Sequence, residues 1–210
     1  MKGAKILIKN IVFDMGNVLI KYNPDEIMEK YKIIDQVEKQ QVLRAVFNSV
    51  EWLQTDRGII IDDEALVKFK QRLPENIHTR LEEMFEHWHK DRPIIEGMSD
   101  IIKSLKANGY KLYLLSNVSQ RYHEIRNYLP EIDLFEGEFL SSDWHMNKPD
   151  LKIFKTFCTY YGVAPRECFF IDDSTANIEA AMYIGMSGFV FRGNALELKK
   201  ELKTNGINVD

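Results

Sequence analysis

Residues 97–117, GMSDIIKSLKANGYKLYLLSN, mark the point where the rhythm of the chain changes. Residues 99–108 read as a helix, and Gly109 follows it at the position where glycine commonly ends one. Residues 110–115, YKLYLL, read as a strand that stops at the polar pair Ser116-Asn117. The same alternation continues to the end of the chain. A helix is expected over 119–129, a strand over 137–140, and a helix over 150–160 with Pro149 at its first position. A strand over 167–171, ECFFI, then stops at Asp172-Asp173. A helix over 174–184, a strand over 188–191 and a helix over 194–203 complete the pattern. Far upstream, residues 10–14, NIVFD, form a short apolar β-rich run that ends at a carboxylate. Alternating strands and helices favour a parallel sheet covered by helices on both faces. The expected fold is therefore α/β, a doubly wound parallel sheet.

Between the first strand and that alternating half, residues 24–89 change character. They are rich in Glu, Lys, Gln and Leu, and Val42, Ala45, Val46 and Phe47 recur at helical spacing. Gly58 and Pro74 are the expected breaks, and Pro93 and Gly97 close the segment. The chain thus divides into a core, residues 1–22 and 93–210, and an inserted α-helical unit, residues 23–92. Open α/β sheets bind ligands beyond the carboxyl ends of their strands. An insertion after the first strand stands where it can cover that edge.

At 210 residues, the chain has room for one domain of about 150 residues and a small insertion. Its 28 basic and 32 acidic residues, net −4, argue against a nucleic-acid or membrane-surface binder. Cys158 and Cys168 form neither a CxxC motif nor a disulfide framework. No apolar run approaches the roughly 20 residues of a membrane span. The apolar part of the opening MKGAKILIKN is too short for a signal peptide, so the expected location is cytoplasmic.

The polar residues of interest stand at strand ends: Asp14, Ser116-Asn117 and Asp172-Asp173, joined by Lys148 in the loop before the helix at 150. Alone, each reads as a turn residue or a helix cap. Together, on successive strand-to-helix junctions of a parallel sheet, they form one edge of carboxylates, a hydroxyl, an amide and an ammonium. Such a hard oxygen-ligand cluster with one cation suits Mg²⁺ accompanied by a phosphate.

Residues 13–18 (FDMGNV), Ser116-Asn117, Lys148-Pro149 and residues 172–174 (DDS) resemble, in order, the four motifs of the haloacid dehalogenase superfamily. The resemblance covers about residues 10–191, and the insertion is similar to the helical cap of the subgroup capped after the first strand. The DMGN variant and DWHMNKPD (143–150) are similar to bacterial sugar-phosphate phosphatases, those acting on α-D-glucose 1-phosphate among them.

This resemblance implies a Rossmann-like core and phosphoryl transfer from a small phosphorylated metabolite to Asp14. Mg²⁺ would be held by Asp14, the Gly16 carbonyl and Asp173, with Asp172 as ligand or neighbour. Ser116, Asn117 and Met15 would hold phosphoryl oxygens, Lys148 would neutralise charge, and Asn177 would orient the fourth motif. Many relatives carry a proton-transferring Asp where Gly16 stands. An amide does not titrate, so Asn17 is no substitute, and metal-bound water, Asp172 or a cap residue remains for that role.

Residues 54–58 (QTDRG) resemble the substrate-facing cap turn of related phosphatases, with Arg57 as the expected substrate contact, and the plain alternative is a helix break at Gly58. His87 and His89 are two apart and do not share a helix face, which argues against a metal pair. His145, close to Lys148, reads as a surface or hinge residue. Two alternatives accompany the phosphatase reading: a dehalogenase, which also lacks the second Asp, and a non-catalytic binding or regulatory protein of the same fold. A monomer or homodimer is expected.

Overall fold

The computed structural model describes residues 7–90 and 92–210. Residues 1–6, expected in the core and part of the segment weighed against a signal peptide, lie outside the described residues, as does Asp91 in the insertion. Five short strands carry the fold: β1 (Asn10–Phe13), β2 (Lys111–Ser116), β3 (Gly137–Leu140), β4 (Cys168–Asp172) and β5 (Ser187–Val190). All pair in parallel, in the order β3-β2-β1-β4-β5. The order reverses at β1 and β4, which makes the crevice beyond their carboxyl ends the switch point of the sheet.

The central strands are apolar except at their ends because both faces of the sheet are covered. Side chains alternate across a strand. Ile11, Phe13, Leu114 and Ile171 therefore face α6 (Met98–Ala107) and α11 (Ala195–Thr204), through Ile101, Leu105, Leu198 and Leu202. Val12, Tyr113, Leu115 and Phe170 face α9 (Leu151–Tyr161) and α10 (Thr175–Tyr183), through Phe154, Phe157 and Ile178. Cys158 and Cys168 are buried free thiols on this second face.

Between β1 and α6 the chain forms α1 (Pro24–Lys30), α2 (Gln36–Val42), α3 (Val50–Asp56), α4 (Asp62–Gln71) and α5 (Glu75–His87). The expected breaks are there. Gly58 follows α3 at φ +62°, and Pro74 is the N-cap of α5. Ile27, Phe69, Leu81 and Met84 join the apolar cluster of the first sheet face. Each fully buried side chain of this size contributes about 1.5–3 kcal/mol. The outgoing and returning chains are bonded side by side, Lys21 N to Pro93 O at 2.8 Å and Ile95 N to Leu19 O at 2.9 Å. Among the described residues, no helix is long and apolar enough to cross a membrane.

Two expected helices differ in detail. The helix expected over 119–129 is only α7 (Tyr122–Ile125) plus a 3₁₀ turn over 126–128. Pro130 disfavours helical backbone at Leu129, which is extended instead. After α8 (Ser141–Trp144), α9 is capped by Asp150, whose Oδ1 accepts from Lys152 N at 2.9 Å. Pro149 therefore precedes the helix rather than opening it, because the Asp carboxylate satisfies a free N–H of the first turn.

Candidate active site

The strand register delivers the site. Phe13 pairs with both Leu114 and Ile171, so the next residues, Asp14, Leu115 and Asp172, stand level at the carboxyl edge. The Lys148 ammonium enters from the loop after α8. It donates to Asp14 Oδ1 at 2.6 Å, Asp172 Oδ2 at 2.7 Å and the Leu115 carbonyl at 2.9 Å. Its own loop is tied to β2 by Asn117, whose Nδ2 donates to Lys148 O at 3.0 Å and whose Oδ1 accepts from Lys148 N at 2.8 Å. Asp172 is saturated: Asn177 Nδ2 donates to both of its oxygens at 3.0 Å, and Ser174 N donates to Oδ1 at 2.8 Å. Asp173 instead lines the cavity above, and its Oδ2 accepts from Asn17 Nδ2 at 3.0 Å.

Asp14, Asp172 and Asp173 offer oxygens within 4.8 Å of one another. Three carboxylates against one ammonium leave net negative charge in a buried place, and a hard divalent cation fits that donor set. Burial pushes Asp14 up to about 6, Lys148 opposes the shift and Asp172 adds to it. Burial works against the Lys148 ammonium, but Asp14 and Asp172 outweigh it and hold its pKa above the usual lysine value. At neutral pH the pair is therefore ionised, a carboxylate oriented by a cation and able to attack an electrophile.

The turn after β1 takes its left-handed residue at an asparagine. Positive φ falls at Asn17, +54°, and not at Gly16. A Cβ on Gly16 would meet only Tyr22 Cβ at 3.7 Å, an ordinary contact. The glycine is thus not required by backbone geometry. Asn17 is the functional residue that sequence reasoning missed: it clamps Asp173 and accepts from Tyr22 N at 2.9 Å. Its place in the motif FDMGNV was the signal that pointed to it.

Asp14, Met15, Gly16, Ser116, Asn117 and Lys148 all line one cavity of about 440 Å³, with Asp173 and Asn177 beside them. Trp52, Phe85 and Trp88 from the inserted helices form an aromatic wall, with Trp52 and Trp88 centroids 5.4 Å apart. Asp56 and Asp62 also face in from the insertion, and Arg121 pairs with Asp62 from the core side.

Arg57 is elsewhere. It is exposed, stands outside the cavity lining, and its guanidinium donates to the His145 carbonyl at 3.3 and 3.4 Å. The residue expected to face substrate instead docks the insertion on the core, from the position just after the last residue of α3. His145 Nδ1 completes this contact with Arg57 O at 2.8 Å. His87 and His89 go separate ways: His87 Nδ1 lies 3.0 Å from Lys90 Nζ, and His89 pairs with Glu124 at 2.9 Å.

The model of the haloacid dehalogenase-like hydrolase family matches residues 8–185. The chain belongs to that family. It is 29% identical over 184 residues to the sesquiterpene phosphatase astK of Aspergillus oryzae, covering 86% of this chain and 88% of the relative. It is 28% identical over 199 residues to flavin mononucleotide hydrolase 1 of Arabidopsis thaliana, covering 95% and 78%. Among solved structures it is similar to a family enzyme from Bacteroides thetaiotaomicron in complex with magnesium and inorganic phosphate. That match has a TM-score of 0.69 and 26% identity, and covers 89% of this chain and 96% of the other.

Proposed function

We propose that the protein is a Mg²⁺-dependent phosphomonoesterase that acts on small phosphorylated metabolites through a phosphoryl group carried on Asp14. The observation that carries this reading is the Lys148 ammonium bonded to Asp14 and Asp172 at the floor of the cavity, with Asp173 beside them. Lys148 fixes the plane of the Asp14 carboxylate, which attacks phosphorus as the ester oxygen departs. Ser116 and Asn117 receive the phosphoryl oxygens. Asp172, saturated by Asn177 and Ser174, positions Lys148 rather than the substrate. Asp14, Asp173 and the Gly16 carbonyl would hold Mg²⁺, which supplies charge neutralisation for the transferring group. The third carboxylate favours this reading over a dehalogenase, because it calls for a cation and a phosphoryl group is what that cation would neutralise.

Residues 23–92 act as the cap and supply the far wall of the cavity. Sugar phosphates remain within the reading, since aromatic rings such as Trp52 and Trp88 pack against sugar C–H faces. The names of the relatives add flavin mononucleotide and sesquiterpene phosphates to the panel. The decisive experiment is hydrolysis of p-nitrophenyl phosphate and of that panel, with Mg²⁺ and with EDTA, by the wild type and Asp14→Asn. Turnover is expected only for the wild type with Mg²⁺. Wild-type rates in EDTA, or in Asp14→Asn, overturn the proposal.

A further inference from the structure

Asp56 is the last residue of α3, half-buried, and lines the cavity whose floor holds Asp14. Its backbone carbonyl accepts from Ser141 Oγ, but among the described residues its carboxyl group has no hydrogen bond and no ion pair. The turn that bears it is held against the core on several sides. Arg57 and His145 exchange bonds, Asn147 Nδ2 donates to Leu53 O at 3.3 Å, and a Cβ on Gly58 would stand 2.4 Å from the Ser142 carbonyl oxygen. A carboxyl group is therefore fixed in the cavity wall with nothing but the cavity to serve.

The floor, in turn, has no proton donor to spare. Lys148 is committed to two carboxylates, Asp172 is saturated, and Gly16 and Asn17 carry no titratable group. The groups that face Asp56 are Asp62 from α4, Asp14 from the end of β1, and Tyr22 and Arg92 from the two connecting segments. Asp62 is itself engaged by Arg121, and the Arg92 guanidinium donates to the Trp88 carbonyl.

The geometry points to Asp56 as the general acid and base of the reaction, a proton carrier supplied by the cap in place of the floor. This rests on the phosphomonoesterase reading above. In the first step Asp14 forms a bond to phosphorus, the bond from phosphorus to the ester oxygen breaks, and the Asp56 proton passes to that oxygen to give the alcohol. In the second step water attacks the phosphorus, its proton passes to the Asp56 carboxylate, and phosphate leaves with Asp14 restored. Burial, then Asp62 and Asp14, push Asp56 up to about 8, so it holds its proton at neutral pH. Burial, the largest cause, does not depend on what charge Asp14 faces. A general acid is most effective with a pKa near the working pH.

The test compares an alkyl phosphate with 2,4-dinitrophenyl phosphate, whose leaving group needs little protonation, using the full chain with Mg²⁺. Asp56→Asn should lower kcat/KM about 10²–10³-fold for the alkyl ester and less than about 10-fold for the dinitrophenyl ester. The wild type provides a second arm that needs no variant. Its kcat/KM for the alkyl ester should fall as pH rises through about 8, while the dinitrophenyl ester shows no such limb. Equal losses on both esters, an unchanged alkyl rate, or the same limb for both esters overturn the role of Asp56 and leave the phosphatase reading standing. Absence of hydrolysis of any ester by the wild type, or full activity in Asp14→Asn, overturns both.

Discussion

Asp56 couples chemistry to stability, and the sign of that coupling is fixed by its surroundings. Its carboxyl is raised from 3.8 to about 8 by burial, then by Asp62 and Asp14. Between those values the folded chain keeps a proton that the unfolded chain has lost. Stability at this site is therefore full below about pH 4 and is lost as pH rises toward 8, by up to about 1.4 kcal/mol per pH unit. Asp56→Asn keeps the shape and cannot ionise, so its stability should lack this decline. The variant should gain on the wild type steadily between about pH 4 and about pH 8. Urea unfolding at a series of pH values reads the difference directly. Parallel profiles for the two proteins would mean that Asp56 is solvated and titrates as an ordinary carboxylate. Asp14 acts in the same direction over a narrower window, raised to about 6, and both proteins share it.

The turn that ends α3 sets how the inserted helices meet the sheet, and two neighbouring substitutions separate its parts. Gly58→Ala forces a side chain into left-handed backbone, at roughly 1–2 kcal/mol, and drives its Cβ against the Ser142 carbonyl. Undocking the turn moves Asp56 and the aromatic wall together, so Gly58→Ala should lower the unfolding midpoint and raise KM most for substrates that reach the wall. Arg57→Ala removes only an exposed guanidinium bonded at 3.3 Å or longer. It should change KM for a sugar phosphate and for p-nitrophenyl phosphate by the same small factor. A selective loss for the sugar phosphate would return Arg57 to the substrate. The existence of this turn was legible in the sequence, because glycine after a helix is a strong signal. Which of Asp56 and Arg57 faces inward was not. That depends on where the last turn of α3 stops against α8, which no local pattern encodes. The truncated α7 was missed for a related reason: Pro130 acts on Leu129 from beyond the segment whose polarity looked helical.

Most of the floor of the site was readable before any coordinates because parallel sheets align their strand ends. Asp14 and Lys148 are 134 residues apart, yet the alternation of strands and helices alone brings them to one edge. The clamp of Asn17 on Asp173, 156 residues away, was not readable, since it accompanies a positive φ at Asn17 that no local sequence pattern announces. The proposed Mg²⁺ site on the same buried floor carries a consequence for the stability of the whole chain. Asp14, Asp172 and Asp173 crowd their oxygens within 4.8 Å with one ammonium to offset them. The folded state alone brings Asp14 and Asp173 together, so Mg²⁺ held there as proposed would stabilise it. At a concentration of 100 times the dissociation constant, the gain is about 2.7 kcal/mol. For a chain of this length each kcal/mol moves the midpoint by roughly 2–4 °C, so Mg²⁺ should raise it by about 5–10 °C and EDTA should abolish the rise. Asp173→Asn removes a ligand while leaving the Lys148 contacts with Asp14 and Asp172 in place, so its midpoint should respond far less to Mg²⁺. Thermal unfolding of both proteins, with and without Mg²⁺, decides the matter without reference to any substrate. An equal rise in both would place the cation elsewhere, and no rise in the wild type at saturating Mg²⁺ would mean that Lys148 alone suffices to offset the three carboxylates.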